Sequence, residues 1–185
     1  MRFCGVDGSK FSETERNTLE SKSKECPDVK DFLTVLSVCH TVIPETDDDG
    51  KVVYNAASPD EKAFVDAARD YGYEFISRKS DQIEMKDWTG QTVKYDILAI
   101  VEFTSARKRM SVIIRSKDGA MKLLTKGADN VMMERLEKSK TVGWAEEMMA
   151  DFAREGLRTM VFGMRYVMFT HLHNLNLNFN LKTFF

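Results

Sequence analysis

Residues 101–136 read VEFTSARKRMSVIIRSKDGAMKLLTKGADNVMMERL. The stretch opens on an aromatic residue, Phe103, followed by the basic cluster Arg107-Lys108-Arg109. Two β-rich runs come next, Arg109–Arg115 and Met121–Thr125. The Lys117-Asp118-Gly119 turn between them predicts a hairpin. Lys126-Gly127 then turns the chain into Val131, Met132 and Leu136, which fall at helical spacing. Strands joined by a hairpin, with a helix after them, set the fold. They also look like one wall of a nucleotide pocket: a flat apolar surface for a base, cations for phosphates, and a glycine that lets backbone come close.

Each part has a plainer reading. Phe103 can end a strand and pack into a core. The basic cluster can be a solvated turn, and Lys126-Gly127 an ordinary one.

Outward from this stretch, the pattern continues in kind. Glu74–Arg78 and Gln82–Lys86 read as strands. Thr92–Phe103 reads as a longer one, with Val93, Tyr95, Ile97, Ala99 and Val101 on one face. In Arg109–Arg115, Met110, Val112 and Ile114 alternate with Arg109, Ser111, Ile113 and Arg115. Trp144, Met148 and Phe152 follow helical spacing, and Leu157–Tyr166 reads as a final strand. Nearer the start, Phe32, Leu33, Val35, Leu36 and Val38 predict a buried helix over about Pro27–His40. Asp47-Asp48-Asp49-Gly50 is a solvated turn without EF-hand spacing. Lys51–Asn55 is a short strand. Ser58-Pro59-Asp60-Glu61 is a capping box that starts a helix for local reasons. The whole predicts an α+β domain: a mostly antiparallel, twisted sheet flanked by helices.

The bulk numbers bound the function. A chain of 185 residues, 43% hydrophobic and 30% charged, makes one globular domain with room for tails. Its net charge of −2 gives no bulk attraction for nucleic acid or an anionic membrane. Cys4, Cys26 and Cys39 show no CxxC spacing, and His40, His171 and His173 have no metal-ligand partners in sequence. No apolar run approaches the ~18 residues of a membrane helix, and no signal-peptide pattern follows Met1. Neither a GxxxxGK[ST] loop nor a GxGxxG after a strand occurs.

Four motifs stand in order: Ser58-Pro59-Asp60-Glu61, then Glu102-Phe103 with Arg107-Lys108-Arg109-Met110-Ser111-Val112, then Lys126-Gly127-Ala128-Asp129, then Gly156-Leu157-Arg158-Thr159. Each is weak alone, and the ordered set resembles the nucleotide-binding (N) domain of P-type ATPases. The lipid-flipping type IV branch fits best, because cation pumps usually carry Pro-Glu after Lys-Gly-Ala and this chain has Asp129-Asn130. The resemblance covers residues 29–165. Residues 1–28 read as a linker, whose Met1–Phe11 looks like the segment after the family's phosphorylation loop. Residues 166–185, with Leu175, Leu177, Phe179 and Leu181 alternating with asparagines, carry no resemblance to the family.

The resemblance implies that Phe103 stacks on adenine, that Glu61 sits at the base edge and that Lys126 lies in the pocket wall. It implies that Ser105, Lys108, Arg158 and Thr159 contact ribose or phosphates. It assigns this chain no catalytic or metal-ligating residue. The family's phosphorylated Asp lies in an Asp-Lys-Thr-Gly-Thr motif absent from this sequence. The implied cofactors are ATP and the Mg²⁺ that accompanies it, and the implied partners are the phosphorylation, actuator and membrane domains of a pump. The implied location is the cytoplasmic face of a membrane, with the isolated chain soluble. Two alternatives stand beside this: a truncated or regulatory nucleotide-binding module without catalysis, and the N domain of a cation pump.

Overall fold

Helix α1 (Pro27–Val38) is the buried helix expected from the apolar run. Leu33, Val35, Leu36 and Val38 are buried, and so are Thr34 and Ser37 on the same turns. A helix buried all round must satisfy its own hydroxyls. Thr34 Oγ1 donates to Lys30 O (2.8 Å) and Ser37 Oγ to Leu33 O (2.9 Å). The helix stops where the Arg78 guanidinium takes its terminal carbonyls, Nη2 donating to Val38 O (2.6 Å) and Nη1 to His40 O. A cation there satisfies orphan carbonyls and complements the helix dipole.

The computed structural model describes residues 27–138, 140–168 and 182–184. The linker reading of residues 1–28 and the reading of the alternating tail lie almost wholly outside them. The chain divides into two compact units, one up to Ile97 and one from Leu98.

In the first unit, β1 (Ile43–Thr46) pairs antiparallel with β2 (Val52–Asn55). The sequence pattern gave only the second of these strands, because Pro44 argues against a strand. In a two-stranded sheet every strand is an edge, so Pro44 is tolerated opposite Tyr54. The turn between them is built by Asp47, whose Oδ1 accepts from Asp49 N (3.1 Å) and Lys51 N (2.8 Å). Helix α2 (Pro59–Asp70) starts as expected, with Ser58 at the N-cap and Pro59 in its first turn. An antiparallel ladder follows: β3 (Glu74–Arg78), β4 (Gln82–Lys86) and the first part of β5 (Thr92–Val101). Phe75 centres the core, with the His40 ring edge-on at 4.6 Å and the Tyr54 ring stacked at 6.0 Å.

The second unit holds the antiparallel ladder β6 (Arg109–Arg115), β7 (Met121–Gly127), β8 (Val161–Val167) and β9 (Lys182–Phe184). Helices α3 (Asp129–Met133) and α4 (Lys140–Arg154) lie between β7 and β8 in sequence. Ile113, Leu123 and Val161 share one face with Met132 and Leu136. The opposite face carries Met110, Val112, Ile114, Leu124, Phe162 and Met164, also buried. β6 is therefore buried on both sides, which is why Ser111 and Ile113 are as inaccessible as the apolar residues they alternate with. The architecture is α+β with antiparallel sheet and flanking helices, as expected.

Several strand ends differ from the sequence reading. β7 runs on to Gly127, so Lys126-Gly127 closes the strand instead of turning out of it. β8 begins at Val161, not Leu157. Gly156, at φ 75°, ends α4 in a Schellman turn, with Gly156 N donating to Ala153 O (3.0 Å) and Leu157 N to Phe152 O (2.9 Å). Leu157 thus belongs to the helix cap. β5 ends at Val101, two residues before Phe103, where an arginine captures the last carbonyls.

Candidate nucleotide site

Register decides what meets what. Arg109, Gly127 and Val161 are successive Cα partners across β6, β7 and β8. The chain leaves or enters each strand at that row. The loop 102–108 precedes Arg109, Ala128 follows Gly127, and Arg158-Thr159-Met160 precede Val161. Three of the four sequence motifs therefore share one end of one ladder within the second unit.

Phe103 is 60% exposed, which excludes the reading in which it packs into the core. Ser105, Lys108 and Arg158 are exposed and Thr159 is half-buried. Lys126 lies one residue in from the row, between Met110 and Phe162 in register, and is only 5% exposed. Its long stem lies in the same buried row as those two apolar neighbours. Gly127 is required by the backbone. A Cβ there would stand 2.6 Å from Arg109 Cβ and 2.7 Å from Lys108 O. Lys108 is the only non-glycine at positive φ (51°) among the described residues. That conformation aims its carbonyl at Ala128 N, which donates to it at 3.0 Å. The Lys-Gly junction is thus welded to the basic loop.

The three cations of the loop do not act alike. Arg107 Nη1 lies within hydrogen-bond distance of Val101 O (3.3 Å), Glu102 O (3.0 Å) and Arg109 O (3.0 Å). Arg109 Nη1 donates to Arg107 O (3.1 Å). Both guanidiniums are turned to backbone, which corrects the expectation that all three cations can face polyphosphate. Burial, and then the nearby Arg135, lowers the pKa of each below the usual arginine value, with Arg107 adding to the effect on Arg109. Lys108 is the exposed cation of the three.

Glu61 belongs to the first unit. Its Oε2 accepts from Thr41 N (3.0 Å) and Thr41 Oγ1 (2.7 Å), while its own N–H donates to Ser58 Oγ (3.4 Å). Thr41 carries no signal in the sequence that would pair it with Glu61. The role of Arg107 was equally hidden, since a basic triplet does not say which members turn to backbone. Among the described residues no group of three or more His, Cys, Asp or Glu could hold a metal ion. This end of the ladder carries the exposed cations Lys108 and Arg158.

Residues 28–178 match the family model of the P-type ATPase cytoplasmic domain N. The chain belongs to this family. The match runs past residue 165 into the Leu-Asn stretch. The N domain is similar to phospholipid-transporting ATPase DRS2 of Saccharomyces cerevisiae, 45% identical over 84% of this chain and 12% of that protein. It is 44% identical to phospholipid-transporting ATPase 10 of Arabidopsis thaliana, over 86% of this chain and 14% of that protein. It is 45% identical to human phospholipid-transporting ATPase IK, over 75% of this chain and 11% of that protein. The chain thus spans a small fraction of the relatives it matches. No helix among the described residues is long and apolar enough to cross a membrane.

Proposed function

We propose that this N domain holds ATP for a phospholipid-translocating P-type ATPase and presents its γ-phosphate to an Asp on a phosphorylation domain. The observation that carries the reading is Phe103, an aromatic ring 60% exposed at the ladder end that also bears Ser105, Lys108, Arg158 and Thr159. Exposed aromatic surface is costly to leave in water and is useful where a base stacks on it. Lys108 and Arg158 supply charge for phosphates, and Lys126, held among apolar neighbours, supplies a cation whose position is fixed. Thr159 and Ser105 supply hydroxyls.

Binding of this kind positions a nucleotide without breaking it. In-line phosphoryl transfer depends on placement and on neutralised phosphate charge. Mg²⁺, on this reading, arrives with the nucleotide and takes its protein ligands from the phosphorylation domain, so this chain alone hydrolyses ATP little. The actuator and membrane domains of the pump are the further proposed partners.

The test is titration of ATP, ADP and AMP against the pure chain, followed by backbone amide NMR shifts. Shifts of similar size for all three nucleotides, clustered at Phe103, Lys126 and Arg158, are expected. A folded protein whose spectrum ignores all three nucleotides overturns the reading.

A further inference from the structure

We propose that Arg107 is a positioning residue: its guanidinium staples the two stems of the loop 102–108 and so holds Phe103 in the exposed pose needed for stacking. The inference rests on the stacking role proposed above for Phe103.

The geometry is specific. Val101 ends β5, Glu102 forms the peptide bond into Phe103, and Arg109 opens β6. Carbonyls of all three converge on one guanidinium nitrogen, at 3.3, 3.0 and 3.0 Å. The second terminal nitrogen reaches Ser111 Oγ at 3.5 Å, and Ser111 Oγ accepts from Thr125 Oγ1 at 3.0 Å. The staple is thus anchored on β6 and, through Thr125, on β7. Inside the loop, Lys108 N donates to Thr104 O (2.7 Å) and Arg107 N to Thr104 Oγ1 (3.1 Å). The outgoing and returning stems are therefore tied across their base, with Phe103 and Ser105 on the enclosed segment. A planar fork with several donors suits this, whereas a lysine offers a single point of charge. Carbonyls at the end of a strand need donors, and an arginine spent on them is withdrawn from phosphate binding. Partial burial lowers the pKa of this half-exposed guanidinium below the usual arginine value.

A positioning residue and a phosphate ligand predict different losses. Phosphate contact is lost only by ligands that carry phosphate. A misplaced ring is lost by all of them. The experiment compares wild type, Arg107→Ala, Arg107→Lys, Phe103→Ala and the Phe103→Ala/Arg107→Ala double variant in the full chain. Affinities for ATP, ADP, AMP and adenosine are read by calorimetry, and amide hydrogen exchange is read in the same proteins. Arg107→Ala is expected to weaken all four ligands by the same factor within about twofold, and the double variant to bind as Phe103→Ala does within about twofold. Arg107→Lys is expected to fall with the alanine variant. Amides of Thr104–Lys108 should exchange faster in Arg107→Ala while those of β7 keep their protection. A loss confined to ATP and ADP, strict additivity with Phe103→Ala, or unchanged exchange in the loop overturns the inference. If wild type binds none of the ligands yet loop exchange accelerates in Arg107→Ala, the nucleotide reading fails and the inference falls with it. If wild type binds and Arg107→Ala binds equally well, the inference alone fails.

Discussion

Gly127 and Arg109 are Cα partners across β6 and β7, and a Cβ on Gly127 would stand 2.6 Å from the Cβ of Arg109. Lys108 O and Arg109 Cα close the same space, at 2.7 and 3.0 Å. Backbone cannot swing aside as a flexible side chain can. Gly127→Ala should therefore destabilise the chain by about 1–3 kcal/mol, the ordinary cost of overpacking. Gly143, in α4, has nothing within 4 Å of its ideal Cβ. Gly143→Ala should stabilise by about 0.4–1 kcal/mol through lost unfolded-state freedom. Urea midpoints of the two variants, moving in opposite directions, check the argument. A Gly127→Ala protein as stable as wild type would mean the loop yields.

Phe103 is expected to matter for binding and little for folding. Its ring is 60% exposed, so truncation leaves no cavity. Phe103→Ala should leave stability within about 0.5 kcal/mol of wild type. If the ring stacks on a base, ATP affinity should fall by about 1–3 kcal/mol. Calorimetric titration beside a thermal melt separates the two effects. Unchanged affinity in a folded variant rejects stacking.

What the sequence allows and withholds can be read from particular residues. Ser58-Pro59 starts α2, Asp118-Gly119 closes the β6–β7 hairpin, and the apolar run of α1 buries itself, because each is decided within a few residues. β1 was hidden because Pro44 is permitted only by the edge position that a two-stranded sheet gives it. Leu157 looked like strand because its apolar side chain does not reveal that Gly156, at positive φ, has placed it in a helix cap. The candidate site is less legible still. The row Arg109–Gly127–Val161 joins segments many residues apart, and its register follows from the burial of both faces of β6 and β7. Which of the three adjacent cations turn to backbone depends on carbonyls at the end of β5, in the loop and at the start of β6, and no spacing encodes that.

Lys126 separates a binding role from a packing role. It is buried between Met110 and Phe162 in register. Lys126→Met keeps an apolar stem of similar volume and removes the charge. Affinity for ATP should fall by about 1.5–3 kcal/mol, the range for a hydrogen bond to a charged group. Lys126→Ala should lose the same affinity and, in addition, stability through lost packing. Urea unfolding and nucleotide titration on both variants decide this. A methionine variant that loses stability but not affinity assigns Lys126 to the fold.

Tyr54 gives the first unit an alkaline limit. Its hydroxyl donates to Phe75 O at 2.8 Å, and burial pushes its pKa up to about 12 from 10.0. The Arg69 guanidinium, 4.8 Å over the ring, offsets part of that rise. A folded-state value above the unfolded one means the unfolded chain loses this proton first as pH rises. The contribution is complete below pH 10 and is lost between about pH 10 and 12. Within that window the stability of wild type relative to Tyr54→Phe should fall by up to about 1.4 kcal/mol per pH unit. Below it, Tyr54→Phe should be the less stable protein by about 1–2 kcal/mol, because Phe75 O loses its donor inside the core. Urea unfolding of both proteins from pH 8 to pH 11.5 checks the slope and its sign. A stability difference independent of pH would show that the hydroxyl ionises as it does in water.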